Sequence, residues 1–336
     1  MATRIGRYTL QMDNRPCVEG YASVVGKKES EGPLAKYFDK SFEDTTLGES
    51  SWEKAESRLQ TEAVTAALTK AGTTPKDIDY IFAGDLLNQC ISSTFGLRSL
   101  DIPFLGQFGA CSTMAQTLAL SSILVDSGAA RRAVAVTSSH FCSAERQFRL
   151  PLEYGGQRTP TAQWTATAAG AIVVGNQQKR PYVSAVTIGR IADLGVKDAA
   201  NMGAAMAPAA AQTLSDFLQD TGTLPRDYDL ILTGDLGLVG SELMEQILRE
   251  NNLDITGLHN DCGLMIYDRR AQDVHAGGSG CGCSGAVLCS IILQQLQQGQ
   301  LNSVLFLGTG ALMSPTSQQQ GESTPGIAHL VHLKSE

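Results

Sequence analysis

The sequence predicts an α/β fold built by duplication, with two mixed, mostly parallel sheets around a pair of buried central helices. Three observations lead there. The segment Ala71 to Leu86 recurs without a gap as Thr221 to Leu236, an offset of 150 between Asp77 and Asp227. A second pair of segments opens at Cys111-Ser112 and at Cys283-Ser284, an offset of 172, so the loops differ while the order of elements does not. Finally, neither Ile102 to Val125 nor Val274 to Gly321 contains an Asp, Glu, Lys or Arg.

In the first half, Trp52 to Ala71 reads as an outer helix, because Glu53, Lys54, Glu56 and Arg58 give it the charged face that a solvent-covering helix needs. Gly72 ends it, Pro75-Lys76-Asp77 turns the chain, and Ile78 to Leu86 holds a short apolar strand. Cys111-Ser112 opens a second helix to about Ser127, followed by Gly128 and the strand Ala133 to Val136. The second half repeats this plan: helix Ala205 to Thr221, Gly222, turn Pro225-Arg226-Asp227 and strand Leu230 to Leu232. Cys283-Ser284 then opens a helix to Gln298, with Gly299 and the strand Val304 to Leu307 behind it. The halves are placed at 1–180 and 181–336 and form one compact unit.

The uncharged stretches fit helices covered on all sides, where a charge would be costly. They do not read as membrane spans. Pro103, Gln107, Gly109, Ser112, Thr113, Gln116 and Thr117 interrupt the first, and Gln294, Gln295, Gln297 and Gln298 follow the best apolar run of the second, Ala286 to Leu293. Met1 to Gly20 lacks the apolar core of a signal peptide, so synthesis in the cytoplasm is expected. Eight cysteines scattered through 336 residues suggest reduced thiols rather than a disulfide scaffold.

Composition excludes other classes. A hydrophobic share of 43% against 18% charged residues is incompatible with disorder. Lys and Arg number 26 against 34 Asp and Glu, a net charge of −8, which argues against a nucleic-acid surface or a polybasic membrane anchor. An anionic ligand would need a local cluster, and Arg146, Arg149 and Arg158 form the one dense group of arginines mid-chain, with Glu145 and Glu153 as alternative salt-bridge partners. Cys262, His275, Cys281 and Cys283 raise the question of a metal, but no second paired motif stands at zinc-site spacing, and none is expected. The glycine-rich run Ala276 to Gly285 fits neither a P-loop nor a dinucleotide fingerprint, so no cofactor is expected.

Gly109-Ala110-Cys111-Ser112-Thr113 resembles the nucleophile motif of the thiolase and ketoacyl-synthase superfamily. Thr167-Ala168-Ala169-Gly170-Ala171 stands where type III synthases carry Asp-Gly-Ala-Gly-Ala, and Gly278 to Ala286 resembles the thiolase stretch Gly-His-Pro-x-Gly-x-Ser-Gly-Ala. The resemblance covers nearly the whole chain and implies the thiolase-like five-layer αβαβα fold. Ala83 to Gln89, Thr137 to Cys142, Ala144 to Arg149, Pro160 to Thr165 and Asp273 to Ser284 look, more closely, like strings of a thiolase-like sporulation family of spore-forming bacteria. That resemblance implies a protein that binds dipicolinic acid, with or without Ca²⁺, and supports its uptake into the developing spore and its release at germination. It further implies a soluble component working with membrane proteins of a channel complex at the spore inner membrane, and a homodimer.

Condensing enzymes of the superfamily use a Cys to attack a thioester and a His with a second His or Asn to activate the carbanion and hold the oxyanion. Cys111 matches the nucleophile. The string Thr233 to Gly237 places Gly234 at one His position and Ser279 stands at the other, so the two remaining roles are empty. Gly has no side chain to donate and Ser is a poor proton acceptor at neutral pH. The resemblance thus implies a vestigial set, Cys111, Gly234 and Ser279, and no enzyme. His140 and His275, each at a strand-to-loop junction, are candidates for ligand contact or for packed structural roles. The expected ligand-binding residues are Cys111, His140, Arg146, Asp235, His275 and Ser279, with Arg146 preferred among the arginines as the nearest to His140. The alternative is an active acyltransferase forming an acyl-Cys111 intermediate.

Overall fold

The computed structural model describes residues 1–148 and 158–336. Its first half runs β1 (Cys17–Val25), α1 (Trp52–Ala71), β2 (Tyr80–Gly84), β3 (Phe104–Gly106), α2 (Thr113–Asp126), β4 (Arg132–Ser139), α3 (Phe141–Phe148), β5 (Trp164–Thr165) and β6 (Ala168–Gly175). The second half runs β7 (Tyr182–Thr187), α4 (Met202–Thr221), β8 (Leu230–Thr233), α5 (Gly237–Glu250), β9 (His259–Asp261), β10 (Gly278–Ser279), α6 (Cys281–Val287), β11 (Ser303–Ala311) and β12 (Gly326–Lys334). The strand order is β3-β2-β4-β6-β1 in one half and β9-β8-β11-β12-β7 in the other. In each, the first three strands are parallel, the fourth runs antiparallel to them, and the fifth is antiparallel to the fourth and so runs with the first three. A single antiparallel pair, Cys17 with Tyr182, joins the two sheets edge to edge.

Five layers result. Helix α1 covers the outer face of β1, β6 and β4, while α4 and α5 cover the second sheet. Between the sheets, α2 touches β2 and β4 on one side and β11 and β12 on the other, and α6 packs beside it on β6 and β4. The uncharged stretches are therefore the inner layer. Thr117 and Ser122 of α2 stand in this dry layer by donating to their own helix, Thr117 Oγ1 to Met114 O at 3.0 Å and Ser122 Oγ to Leu118 O at 2.7 Å. The second buried helix starts at Cys281, two residues before the predicted Cys283, and passes through a π-turn at Leu288–Ile292 into Leu293–Gln297. Among the described residues no helix is long and apolar enough to cross a membrane.

The repeat holds at the level of single hydrogen bonds. Gly72 and Gly222 close α1 and α4 in the left-handed region, at φ 67° and 66°. Asp77 and Asp227 accept the amides of Thr74 and Leu224 at 3.1 and 2.8 Å. Asp79 then receives the amides of Arg131 and Arg132, and Asp229 those of Asn302 and Ser303, so each copy pins the start of the neighbouring parallel strand. Layer contact is tightest where β6 meets α6. A Cβ on Gly170 would lie 2.2 Å from Gly285 O, which is why a glycine interrupts this apolar strand.

Candidate functional site

The C-terminal ends of β2 and β8 and the starts of α2 and α6 converge on Cys111. This residue precedes α2, is 5% exposed, and follows Ala110, which is held at φ 50°. Its Sγ lies 3.8 Å from Ser279 Oγ. Asp235, at the end of β8, completes the group. Its Oδ2 accepts Gly280 N at 2.8 Å and Ser279 Oγ at 3.2 Å, and its Oδ1 accepts Thr309 Oγ1 at 2.8 Å. Gly280 makes this possible with φ 104°, and a Cβ there would meet Ser139 Oγ at 2.6 Å.

Two neighbours hold the Asp235 loop in place. Gln163 Nε2 bridges Asp235 O and Gly278 O at 2.7 and 2.8 Å, tying β8 to β10. Buried Asp261 accepts the amides of Leu236 and Gly237 and the Thr233 hydroxyl, and burial pushes its carboxyl up to about 7. Gln163 belongs to the string Pro160 to Thr165 without a site role marked there, and Asp261 lies outside every motif in the sequence named above.

Electrostatics decide what Cys111 can do. A helix start favours a thiolate, by at most about 2 kcal/mol even in well-placed cases. Here two larger effects oppose it: burial pushes the Cys111 thiol well above its ordinary value, and the adjacent Asp235 pushes further. Asp235 is itself raised by burial, against the donors Cys111, Gly280, Thr309 and Ser279. A carboxylate so placed accepts the S–H bond but holds a proton far less firmly than a thiolate does, so it is no base for the thiol. The side chain that reaches Cys111 from the β8 end is Asp235, whereas Gly234, one residue earlier, packs against the Thr309 amide.

Over Cys111 lies a small recess of about 40 Å³. Ser279 and Thr165 supply hydroxyls, Glu145 a carboxylate, and Leu86, Phe108, Phe148, Met202 and Met313 most of the apolar wall. No Lys or Arg is among these lining residues. The wall draws on separate stretches of both halves with no shared pattern, so nothing in the sequence marked it out.

Cys111, Asp235 and Ser279 are thus brought together, and three other candidates stand apart. His140 is buried, with Nε2 2.7 Å from Thr45 O and Nδ1 accepting Cys142 N, and burial pushes its pKa down. Arg146 turns outward to pair with Glu53 and to lie over the Trp52 ring. A half-buried carboxylate on α1, Glu53, attracts it more cheaply than burial in an apolar wall would. His275 pairs with Asp273, its Nε2 3.0 Å from Oδ1. Arg146, the preferred arginine, is not among the residues that line the recess. Arg149 and Glu153 lie outside the described residues. All eight cysteines are free thiols, and Cys281 donates to Ser138 O at 3.0 Å.

Two half-sheets related by duplication, two buried helices between them, and a cysteine at the start of the first define the thiolase and ketoacyl-synthase class of fold. The backbone is similar to that of 3-oxoacyl-[acyl-carrier-protein] synthase III from Aquifex aeolicus VF5, at TM-score 0.59 and 12% identity over 95% of this chain and 99% of that one. It is similar also to OleA of Xanthomonas campestris, at TM-score 0.61 and 12% identity over 99% and 100%. At such identity the likeness carries the fold alone. Residues 6–334 match the family model of stage V sporulation protein AD (SpoVAD), and the chain is 47% identical over 324 residues to that protein of Bacillus subtilis (strain 168), covering 96% of each. The chain belongs to the stage V sporulation protein AD family, and is a sporulation protein of thiolase-like fold.

Proposed function

We propose that this chain binds dipicolinic acid in the recess over Cys111 without transforming it, and so supports uptake of the acid into the developing spore and its release at germination. The observation that carries this reading is the state of Cys111: a thiol kept protonated by burial and by the charge of Asp235, facing a small recess. The ligand is taken as the free acid or together with Ca²⁺. The protein then serves as a component without a membrane-crossing helix among its described residues, acting through membrane partners of a spore channel. Its edge strand β3 is exposed along its length, with Phe104 and Leu105 each 40% exposed and Phe95 nearby, which supports pairing of two copies through this edge.

Calorimetry tests the ligand. Dipicolinate with Ca²⁺ should release heat that is lost when Ala311→Phe fills the recess; no heat with dipicolinate, alone or with Ca²⁺, would remove the named ligand. Light scattering tests the dimer, which Leu105→Lys should dissociate. A second reading, an acyltransferase working through acyl-Cys111, is favoured by the position of Cys111 at a helix start facing a recess. Incubation with acyl-CoA donors and intact mass measurement separate the two, because an adduct on Cys111 that turns over would sink the binding-protein reading.

A further inference from the structure

A second cluster lies on the other face of β5. Thr165 lines the recess, and its strand neighbour Trp164 points to the opposite side. Phe141 stacks on Trp164 with ring centroids 3.7 Å apart and planes 6° from parallel. Two cations converge on the same indole: Lys28 Nζ is 3.9 Å and the Arg158 guanidinium 4.8 Å from the ring centroid.

These cations are short of acid. Arg158, with its side chain 19% exposed, places Nη2 2.8 Å from Asp273 O and 3.0 Å from Asp273 Oδ1. The Asp273 side chain is 77% exposed and is shared with His275 Nε2, also at 3.0 Å. Arg158 Nη1 is shielded from solvent and has no hydrogen-bond partner among the described residues. Burial pushes the Lys28 pKa down and Arg158 adds to this, against Asp273, Glu29 and Glu31. A guanidinium N–H buried without an acceptor is destabilising, as is a second cation close beside it. Both are relieved by one bound oxyanion, since the planar guanidinium fork fits a carboxylate or a phosphate and the ammonium supplies a second charge.

We propose that Arg158 and Lys28, flanked by His275, form a second binding site, separate from the recess, for a small oxyanion of the carboxylate or phosphate class. The site does not depend on what occupies the recess. It shares with the recess only the ribbon in which Trp164 pairs with Gly278 and Thr165 with Ser279.

The chain has two tryptophans, so Trp52→Phe leaves Trp164 as the sole indole. In that background the full chain is titrated at constant ionic strength with inorganic phosphate and, separately, with dipicolinate, following Trp164 emission. At least one anion should give a saturable change, and Arg158→Gln and Lys28→Gln should each raise its Kd about tenfold or more. Arg158→Lys, which keeps the charge but not the fork, should fall between, and circular dichroism confirms the fold of each variant. No saturable change with either anion, or a Kd unmoved by the substitutions, overturns the site. A phosphate response without any dipicolinate heat would keep this site and remove the recess reading. Dipicolinate heat that survives both Gln substitutions, with Trp164 silent, would do the reverse.

Discussion

Replacing Asp235 by Asn should make the Cys111 thiol reactive. Asp235 accepts the Cys111 thiol together with Gly280, Ser279 and Thr309, and its charge is the second cause, after burial, of the raised Cys111 pKa. Two unit charges about 4 Å apart interact by about 4 kcal/mol at an effective dielectric near 20. Removing one therefore lowers the thiol pKa, with the burial effect left in place. Thiolate fraction rises tenfold per unit below the pKa, so alkylation should accelerate about 100- to 1000-fold. Asn keeps an oxygen for the Gly280 amide, so the loop is retained. The assay is iodoacetamide labelling at about pH 8 read by peptide mass spectrometry, with half-buried Cys142, whose charged neighbour is Glu145, as internal reference. A Cys111 to Cys142 ratio unchanged within about threefold would refute the electrostatic account, as would wild-type Cys111 outpacing Cys142 at neutral pH.

Four further outcomes follow from the same geometry. Burial, then neighbouring Asp85, pushes the Glu56 carboxyl from 4.5 up to about 8. Its contribution to stability is therefore full below the unfolded value and lost as pH rises through the folded one, so Glu56→Gln should flatten the fall in Tm from about pH 5 to 8.5, and an unchanged slope would count against it. Gly170→Ala should cost about 3 kcal/mol in denaturant melts, because its Cβ meets Gly285 O at 2.2 Å; a loss below about 0.5 kcal/mol would mean the layers can move apart. Gly72→Ala and Gly222→Ala, both at left-handed φ in open space, should each cost about 1 kcal/mol and agree within about 0.5, and a clear difference would break the equivalence of the repeats. Arg146→Ala should cost under about 1 kcal/mol and leave dipicolinate heat unchanged, since it loses only a surface pair with Glu53; vanished heat would put Arg146 in the site.

Much of the fold was legible because duplication and helix burial leave local marks. The gapless recurrence of Ala71 to Leu86 placed Gly72 and Gly222, Asp77 and Asp227, and the strands behind them, and each reappears in the same role in the two halves. The helix start at Cys281 and the π-turn at Leu288–Ile292 were not legible, since a helix buried all round has no polar face whose period would mark a slip. For the site, motif positions brought Cys111, Asp235 and Ser279 to one point. Closeness in sequence did not do the same for Arg146, whose outward turn depends on Glu53 and Trp52, roughly ninety residues earlier in the chain.

Residue order alone thus settled the two-half plan and the buried central helices, because each is written in charge or repetition within a few turns of chain, while the meeting of Cys111 with the β8 end was implied by the family resemblance. Whether Cys111 ionises, what walls its recess and where Arg158 and Lys28 find each other were decided only by folding. Those properties depend on burial and on distances of a few ångströms between segments far apart in sequence, and no local pattern encodes them.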